Sequence, residues 1–270
     1  MPQDSARGLG AQRLVRAASV LVLASGLALA GCSDGVSESQ TSSAPGELHG
    51  SLTIFAAASL TESFTELADI FGSDHPGVTI APISFDGSTT LATQIGEGAP
   101  ADVFAAADEA TMRTVSGLLD GEPTPFASNS LQIAVQLGNP LATSGLADLS
   151  DPDLKVVVCA PHVPCGASAH TLLDRQNIVL TPASEELNVK AVLTKVQLRE
   201  ADAGLVYVTD IAATDSAEGV SIRGAGEAKS IYPIGILERS KNPAVAQAFG
   251  DFVVSDRGQI VLAQYGFGRP

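Results

Sequence analysis

The sequence predicts an α/β protein with two lobes and a ligand cleft between them, and three observations support this prediction. Short apolar strands alternate with helical patterns from residue 51 onward, which is typical of sheets covered by helices on both faces. The chain beyond residue 31 is long enough for two modest lobes rather than one small core. Its last segment returns to a strand and a helix, as expected if the chain crosses between lobes. In such sheets, ligands bind at the carboxyl ends of the strands, where the helices begin.

The N-terminal segment has the pattern of a lipoprotein signal peptide. An arginine-containing region precedes an apolar run over residues 17–29, and the run ends in the lipobox Leu29-Ala30-Gly31-Cys32. This pattern predicts a signal peptide over 1–31 and lipidation of Cys32, which would anchor an extracytoplasmic protein to the cell membrane. The alternative is an uncleaved membrane anchor, but the apolar run falls short of the ~20 residues that span a bilayer.

The region after the lipobox separates the anchor from the folded part. Residues 32–50 are rich in Ser, Gly and Glu without an apolar period, and they are predicted to form a flexible tether. We predict that lobe 1 consists of 51–128 and 233–270, and that lobe 2 consists of 129–232.

The first predicted element is an apolar strand over 51–57, which runs into a helix that starts near Ser59. Apolar residues recur at helical spacing as far as Phe71. Ser59 and Glu62 have the spacing of a capping box. Taken alone, Ser59 is therefore predicted to cap this helix.

The alternation then continues along the chain. Further strands are predicted over 78–85, 103–106, 131–137, 155–159, 204–208 and 231–237. Helical patterns are predicted over 91–95, 186–196 and 244–265. A small polar loop over 86–89 separates the 78–85 strand from the helix that follows it.

The charge of the chain limits its partners. The formal net charge is −15 at pH 7, which argues against nucleic acid or anionic lipid as a partner. Because the long-range field of an acidic protein repels anions, any anion that binds must be held by local geometry.

Small or polar residues stand just ahead of four helical patterns. The four segments are 59–62, 87–90, 163–166 and 187–190. The first backbone N–H groups of a helix have no partner inside the helix, and they bind anions. None of the four segments carries an Arg or a second Lys. If the segments converge, they would hold an oxyanion with dipoles and hydroxyls, as in a receptor for a small tetrahedral oxyanion.

Two cysteines remain besides Cys32. Cys159 and Cys165 are close in sequence, and in an exported protein they are predicted to form a disulfide. The alternative is a zinc site that also uses His162 and His170. Structural zinc sites usually take ligand pairs from separated turns, and two prolines stiffen this loop, so the disulfide is favoured.

Five motifs in order resemble the molybdate-binding proteins of bacterial molybdate ABC importers. The motifs are FAAASLT at 55–61, STTLATQI at 88–95, GAPADVF at 98–104, HVPCG at 162–166 and GLVY at 204–207. The resemblance extends from Leu52 to Phe267. It implies a type II periplasmic-binding-protein fold, in which two α/β lobes close on the ligand. It further implies a monomeric lipoprotein that captures molybdate or tungstate, needs no cofactor and delivers its ligand to an ABC permease with its ATPase.

The resemblance also implies which residues contact the ligand. Ser59 and Ser88 would contribute a hydroxyl and a backbone N–H, Cys165 and Val189 a backbone N–H, and Tyr207 its phenol. Cys165 stands where the family commonly has alanine, which is tolerable because the contact is made by the main chain. Asp86 lies in a loop where the family commonly has small neutral residues, and its carboxylate would repel a dianion unless it points away or caps a backbone N–H.

Protonation separates the candidate ligands. Molybdate, tungstate and sulfate are fully deprotonated near neutral pH and so only accept hydrogen bonds, which matches a cavity of donors. Phosphate keeps a proton and requires an acceptor, for which Asp86 is the only nearby candidate, so phosphate remains an alternative. Sulfate also remains one, because it differs from molybdate chiefly in size. The sequence does not separate molybdate from tungstate.

The sequence favours a binding protein over an enzyme. The segment Gly166-Ala167-Ser168-Ala169-His170 partly matches a nucleophile elbow, but its second glycine is missing. The chain contains neither an HExxH motif nor a phosphate-binding GxxxxGK[ST] motif. A serine-dependent enzyme and a sensor domain with the same fold are the alternatives.

Overall fold

The computed structural model describes residues 47–270. The predicted signal peptide, the predicted lipidation site Cys32 and residues 32–46 of the predicted tether lie outside the described residues. The first strand begins at Gly50, the last residue of the predicted tether. Within residues 47–270, no helix combines the length and the apolar character needed to cross a membrane.

Two five-stranded sheets form the centre of the molecule. The first contains β2 (Ile54–Ala57), β4 (Ser84–Asp86), β5 (Val103–Ala105), β6 (Thr124–Asn129) and β12 (Ser230–Ile236), in the order β4-β2-β5-β12-β6. The second contains β7 (Leu131–Val135), β8 (Val156–Cys159), β9 (Ser184–Glu186), β10 (Ala203–Tyr207) and β11 (Glu218–Val220), in the order β11-β7-β10-β8-β9. A separate parallel pair joins β1 (Gly50–Leu52) to β3 (Val78–Ile80).

Helices cover the sheets, as the α/β prediction requires. They are α1 (Thr61–Asp74), α2 (Ser88–Gly96), α3 (Glu109–Thr114), α4 (Pro164–Arg175), α5 (Val189–Gln197), α6 (Val208–Ala212), α7 (Pro243–Val254) and α8 (Asp256–Gln264). We refer to the first sheet with α1, α2, α3, α7 and α8 as lobe 1, and to the second sheet with α4, α5 and α6 as lobe 2. The predicted helical pattern over 244–265 forms two helices, because Ser255 ends α7 and accepts a hydrogen bond from the Gly258 N–H at 3.2 Å as the N-cap of α8.

Each sheet is mixed rather than purely parallel. The strands β2, β4 and β5 run parallel, as do β8, β9 and β10, whereas β12 and β7 run antiparallel to their neighbours. The chain enters lobe 2 from lobe 1 at β7, and it enters lobe 1 from lobe 2 at β12. Such an entry needs no crossover helix over the same sheet, so nothing forces the strand into the parallel direction.

The two passages between the lobes are neighbours. The strand β6 ends at Asn129 and β7 begins at Leu131, so a single residue, Ser130, joins the sheets. The return passage ends at Ser230, which is the register partner of Asn129. The lobe boundaries expected at 128/129 and 232/233 stay a prediction.

Each lobe has its own apolar core. In lobe 1, Phe64 packs against Phe126 and Phe249 with ring centroids 5.6 and 6.1 Å apart. In lobe 2, aliphatic side chains of β8, β10, α4 and α5 form the corresponding cluster. Full burial of one such side chain contributes about 1.5–3 kcal/mol. The helix starts predicted to bind an anion follow the carboxyl ends of β2, β4, β8 and β9, next to these cores.

Candidate functional site

A small cavity lies between the lobes at the carboxyl ends of the strands. The cavity volume is about 20 Å³, far below the ~300–1,000 Å³ of pockets for drug-sized ligands. The cavity is lined by Ala57, Ala58, Ser59, Gly87, Ser88, Ala107, Pro164, Cys165, Leu187, Asn188, Val189 and Tyr207. All five residues predicted to contact the ligand are in this set, and none of the lining side chains carries a charge.

Three of the predicted residues bring helix N-termini to the cavity. Ser88 is the first residue of α2, Val189 is the first residue of α5, and Cys165 is the second residue of α4. Within residues 47–270, the backbone N–H groups of these three residues donate to no other protein atom. The positive ends of three helix dipoles therefore face one space from two lobes, which is the arrangement that holds an anion without a cationic side chain.

Ser59 reaches the cavity differently from the prediction. It lies in a single 3-10 turn (Ala58–Leu60) between β2 and α1, and α1 has Leu60 at its N-cap position with no side-chain cap. The predicted capping box is therefore wrong. The Ser59 Oγ pairs with the Tyr232 hydroxyl at 2.9 Å, and the Glu62 carboxylate accepts a hydrogen bond from the Lys190 ammonium at 2.9 Å. Both side chains have long-range partners that the local spacing does not reveal.

The hydroxyl of Ser88 is oriented by a backbone donor. The Ala107 N–H donates to the Ser88 Oγ at 3.0 Å, and Ser88 is buried. Because the amide can only donate, the Ser88 proton is free to point into the cavity.

Tyr207 lies at the end of β10 and is buried. Its hydroxyl is 3.2 Å from the Ser230 Oγ, which is in turn 2.8 Å from the Ser168 Oγ. Burial raises the pKa of the Tyr207 phenol. The side chain therefore remains a neutral phenol that can donate its proton to an anion.

The Asp86 carboxylate is held by two residues of the cavity lining, although Asp86 is not a lining residue itself. Its Oδ1 accepts from the Gly87 N–H at 2.7 Å and from the Asn188 Nδ2 at 2.9 Å. The carboxylate thus stabilises the backbone just before α2 and reaches across to lobe 2, and Asp86 is not one of the lining residues. The alternative in which Asp86 accepts the proton of a bound phosphate has no support in this geometry.

One ammonium group lies between the lobes close to the cavity. The Lys190 Nζ is 2.9 and 3.0 Å from the two carboxylate oxygens of Glu62 in lobe 1, and 3.4 Å from the Asp210 Oδ1 in lobe 2. Asp210 is fully buried, and its Oδ2 accepts from the Tyr207 N–H at 3.0 Å. Burial raises the pKa of Asp210 to about 6, and the charge of Lys190 opposes this shift. The ammonium is therefore engaged by two carboxylates and links the lobes instead of facing a ligand.

A disulfide supports the start of α4. Cys159 and Cys165 are bonded with an S–S distance of 2.07 Å, which removes the two thiolates that the zinc alternative requires. Packing is tight here as well, because a Cβ at Gly166 would lie 1.8 Å from the carbonyl oxygen of Ala160. Within residues 47–270, no group of three or more His, Cys, Asp or Glu side chains is arranged to hold a metal ion.

Sequence reasoning missed the residues behind the cavity wall. Tyr232, Asn129 and Asp210 are all buried side chains with polar atoms. Tyr232 and Asn129 lie within strands, and Asp210 lies in the first turn of α6, which was not among the four helix starts singled out in the sequence. One signal was available: the Asn129-Ser130 pair stands between two apolar strands at the predicted lobe boundary.

Comparison with known proteins places this geometry in a family. A family model described as bacterial extracellular solute-binding protein matches residues 52–268. The chain belongs to the bacterial extracellular solute-binding proteins. Among curated relatives, this solute-binding protein is 43% identical to the molybdate-binding protein ModA of Mycobacterium tuberculosis over 253 residues, which cover 92% of this chain and 97% of that one.

Two solved structures show the same fold. The periplasmic molybdate-binding protein of Azotobacter vinelandii matches with a TM-score of 0.65 at 19% identity, over 81% of this chain and 99% of that one. The sulfate-binding protein SubI of Mycobacterium tuberculosis matches with a TM-score of 0.71 at 20% identity, over 81% of this chain and 86% of that one. The predicted two-lobed α/β fold of periplasmic binding proteins is therefore confirmed for this solute-binding protein. The fold alone does not select the ligand, because its neighbours bind different oxyanions.

Proposed function

We propose that this solute-binding protein captures molybdate, and tungstate equally, and delivers it to the permease of an ABC importer driven by its ATPase. One observation carries the proposal: a small cavity without charged lining side chains, in which three helix N-termini and three hydroxyl groups converge. A cavity of donors suits an anion that has no proton of its own. The 43% identity to a ModA molybdate-binding protein over nearly the whole chain supports the choice of molybdate.

In this proposal the five predicted residues are the ligand contacts. Ser59 and Ser88 donate a hydroxyl and a backbone N–H, Cys165 and Val189 donate a backbone N–H, and Tyr207 donates its phenol proton. Hydrogen bonds to a charged acceptor contribute about 1.5–3 kcal/mol each, so a set of them accounts for tight binding without a salt bridge.

The setting of the protein is part of the same proposal. Lipidation of Cys32 would hold a monomeric, extracytoplasmic receptor at the cell membrane, with residues 32–50 as its tether. The receptor needs no cofactor and catalyses no reaction. The Ser168 Oγ pairs with the Ser230 Oγ at 2.8 Å, and His170 is exposed, so the partial nucleophile elbow has no base next to its serine.

Sulfate is the second candidate, because a donor-only cavity also suits sulfate and because SubI has the same fold. Molybdate has longer bonds than sulfate, so the two anions are distinguished by the fit of the donors around them. Phosphate is less suitable, because it carries a proton and the carboxylate considered as its acceptor, that of Asp86, is not part of the cavity lining and is bonded through its Oδ1 to Gly87 and Asn188.

Calorimetric titration of the purified full-length protein with molybdate, tungstate, sulfate and phosphate tests the proposal. We expect molybdate and tungstate to bind and to raise the melting temperature, with a stabilisation of roughly 4 kcal/mol at a thousandfold excess over Kd. Equal concentrations of sulfate or phosphate should have little effect. Preferential binding of sulfate would replace the molybdate assignment, and binding of phosphate alone would refute the donor-only description of the cavity.

A further inference from the structure

A short chain of polar side chains lies behind the Ser59 hydroxyl, outside the cavity. The Tyr232 hydroxyl is 2.9 Å from the Ser59 Oγ and 3.5 Å from the Asn129 Nδ2. Tyr232 and Asn129 are buried, and neither lines the cavity. A ligand bound in the cavity would therefore touch Ser59 but neither of the two residues behind it.

The orientation of the Asn129 amide is fixed by its neighbours. Its Oδ1 accepts from the Ser130 N–H at 3.0 Å, and its Nδ2 donates to the Thr209 Oγ1 at 2.8 Å. The nitrogen, and not the oxygen, therefore faces Tyr232. An amide nitrogen only donates, so it offers no acceptor to the phenol proton.

The phenol proton of Tyr232 then has one hydrogen-bond acceptor within reach. Burial raises the pKa of Tyr232, so the phenol keeps its proton near neutral pH. A buried hydroxyl without a partner is costly. Among residues 47–270 two side chains hydrogen-bond to the Tyr232 hydroxyl within 3.5 Å, and of these only the Ser59 Oγ can accept, while the adjacent Tyr207 phenol is not one of these two partners. Tyr232 therefore donates to Ser59, and the proton of Ser59 is directed elsewhere, towards the cavity.

We propose that Asn129 and Tyr232 are positioning residues that set the ligand specificity of the cavity by fixing the Ser59 hydroxyl as a donor. The inference rests on the proposed function and adds a reason for its selectivity. A free serine hydroxyl can turn and accept a proton from a ligand, and would then tolerate a protonated oxyanion such as hydrogen arsenate. A hydroxyl that already accepts from Tyr232 keeps its proton for the ligand, and so favours oxyanions without a proton.

Ser88 is fixed in the same sense by a different group, since its Oγ accepts from the Ala107 N–H. Tyr207 differs from both serines. Its hydroxyl pairs with that of Ser230, which in turn pairs with that of Ser168, and these hydroxyls can reverse their direction together. We therefore assign the selectivity against protonated anions to Ser59 and Ser88, whose hydroxyls can only donate to the ligand.

The substitution Asn129→Asp tests the inference, because it replaces the donor behind Tyr232 by an acceptor of the same shape. The phenol would then donate to Asp at position 129, Ser59 would donate to the phenol, and the Ser59 lone pairs would face the cavity. We expect molybdate to bind roughly tenfold to a hundredfold more weakly. The preference for molybdate over arsenate, measured by calorimetric titration of the full-length protein at pH 7.5, should fall by at least as much.

The double variant Asn129→Asp with Tyr232→Phe is the matched control. It keeps the new carboxylate but removes the phenol that connects it to Ser59. If the inference holds, Asn129→Asp has an effect of less than about threefold on molybdate binding in the Tyr232→Phe background. An equal loss in both backgrounds would identify charge repulsion or a packing defect as the cause and would overturn the inference.

The single variant Tyr232→Phe decides the matter if Asn129→Asp does not fold. Ser59 would then have no fixed neighbour and could either donate or accept. Molybdate should bind within about threefold of the parent, whereas arsenate should bind at least about fivefold more tightly. Unchanged arsenate binding would overturn the inference. If the parent protein does not bind molybdate, the proposed function itself is refuted. If the parent binds molybdate but Asn129→Asp weakens binding equally with Tyr232 and with Phe at position 232, only the role of Asn129 and Tyr232 is refuted.

Discussion

Ser88→Ala should weaken molybdate binding and lower the stability of the ligand-free protein, each by a predictable amount. The Ser88 Oγ accepts from the Ala107 N–H at 3.0 Å and is proposed to donate its proton to the ligand. Loss of a hydrogen bond to a charged acceptor costs about 1.5–3 kcal/mol, or roughly tenfold to a hundredfold in Kd. The Ala107 N–H also loses its acceptor, at a cost of about 1–3 kcal/mol. In a protein of this size each kcal/mol lowers the melting temperature by about 2–4 °C.

The two effects are measured separately, by calorimetric titration with molybdate and by thermal unfolding without ligand. Ser73→Ala is the matched control, because Ser73 is exposed on α1 and its hydroxyl donates only to the Asp69 carbonyl oxygen at 2.8 Å. The control should change neither Kd nor the melting temperature appreciably. A Ser88→Ala variant that binds molybdate like the parent would show that the ligand lies elsewhere, whatever happens to its stability.

Three further predictions concern other parts of the site. Tyr207→Phe should raise the molybdate Kd roughly tenfold to a hundredfold, and an unchanged Kd in the same titration would remove the phenol from the contacts. Asp210 has a folded-state pKa of about 6 against an ordinary value of 3.8, so its ionisation destabilises the fold as pH rises through this window, by roughly 3 kcal/mol at 1.36 kcal/mol per pKa unit. Asp210→Asn should remove that contribution, and its melting temperature relative to the parent should rise between pH 4 and pH 7; a pH-independent difference would contradict the shift. Replacing Cys159 by Ser and Cys165 by Ala should keep the ligand preference but lower the free energy of unfolding by about 2 kcal/mol, measured by urea unfolding, whereas a reversed ligand preference would mean that the disulfide selects the ligand.

The helix starts at the cavity could be predicted because the signals that specify them are local. Ser88 begins α2 and Val189 begins α5, each directly after a small polar loop and before an apolar helical pattern. Cys165 follows a proline at the first position of α4, which is where proline is favoured. Anion binding at helix N-termini depends on the backbone, so the same local signals also predict an anion site here, and that part stays a prediction.

The features that sequence reasoning missed depend on partners far along the chain. Asp86 accepts a hydrogen bond from Asn188, which is 102 residues away, and Ser59 pairs with Tyr232, which is 173 residues away. The short strand β9 was missed for the same reason. It exists because it pairs in parallel with β8, and this pairing delays the start of the next helix from the expected residue 186 to Val189.

The backbone contact between Gly87 and Leu187 has a consequence for the time a ligand stays bound. A Cβ at position 87 would lie 2.2 Å from the Leu187 carbonyl oxygen, although Gly87 belongs to lobe 1 and Leu187 to lobe 2. A methyl group there would keep the two lobes apart at this point by about an ångström, since real Cβ atoms do not approach a carbonyl oxygen so closely. Differences in affinity among variants of one binding site arise mostly in the dissociation rate. The missing side chain at position 87 thus lets the two lobes meet here, and we expect any side chain at this position to speed the release of a bound ligand.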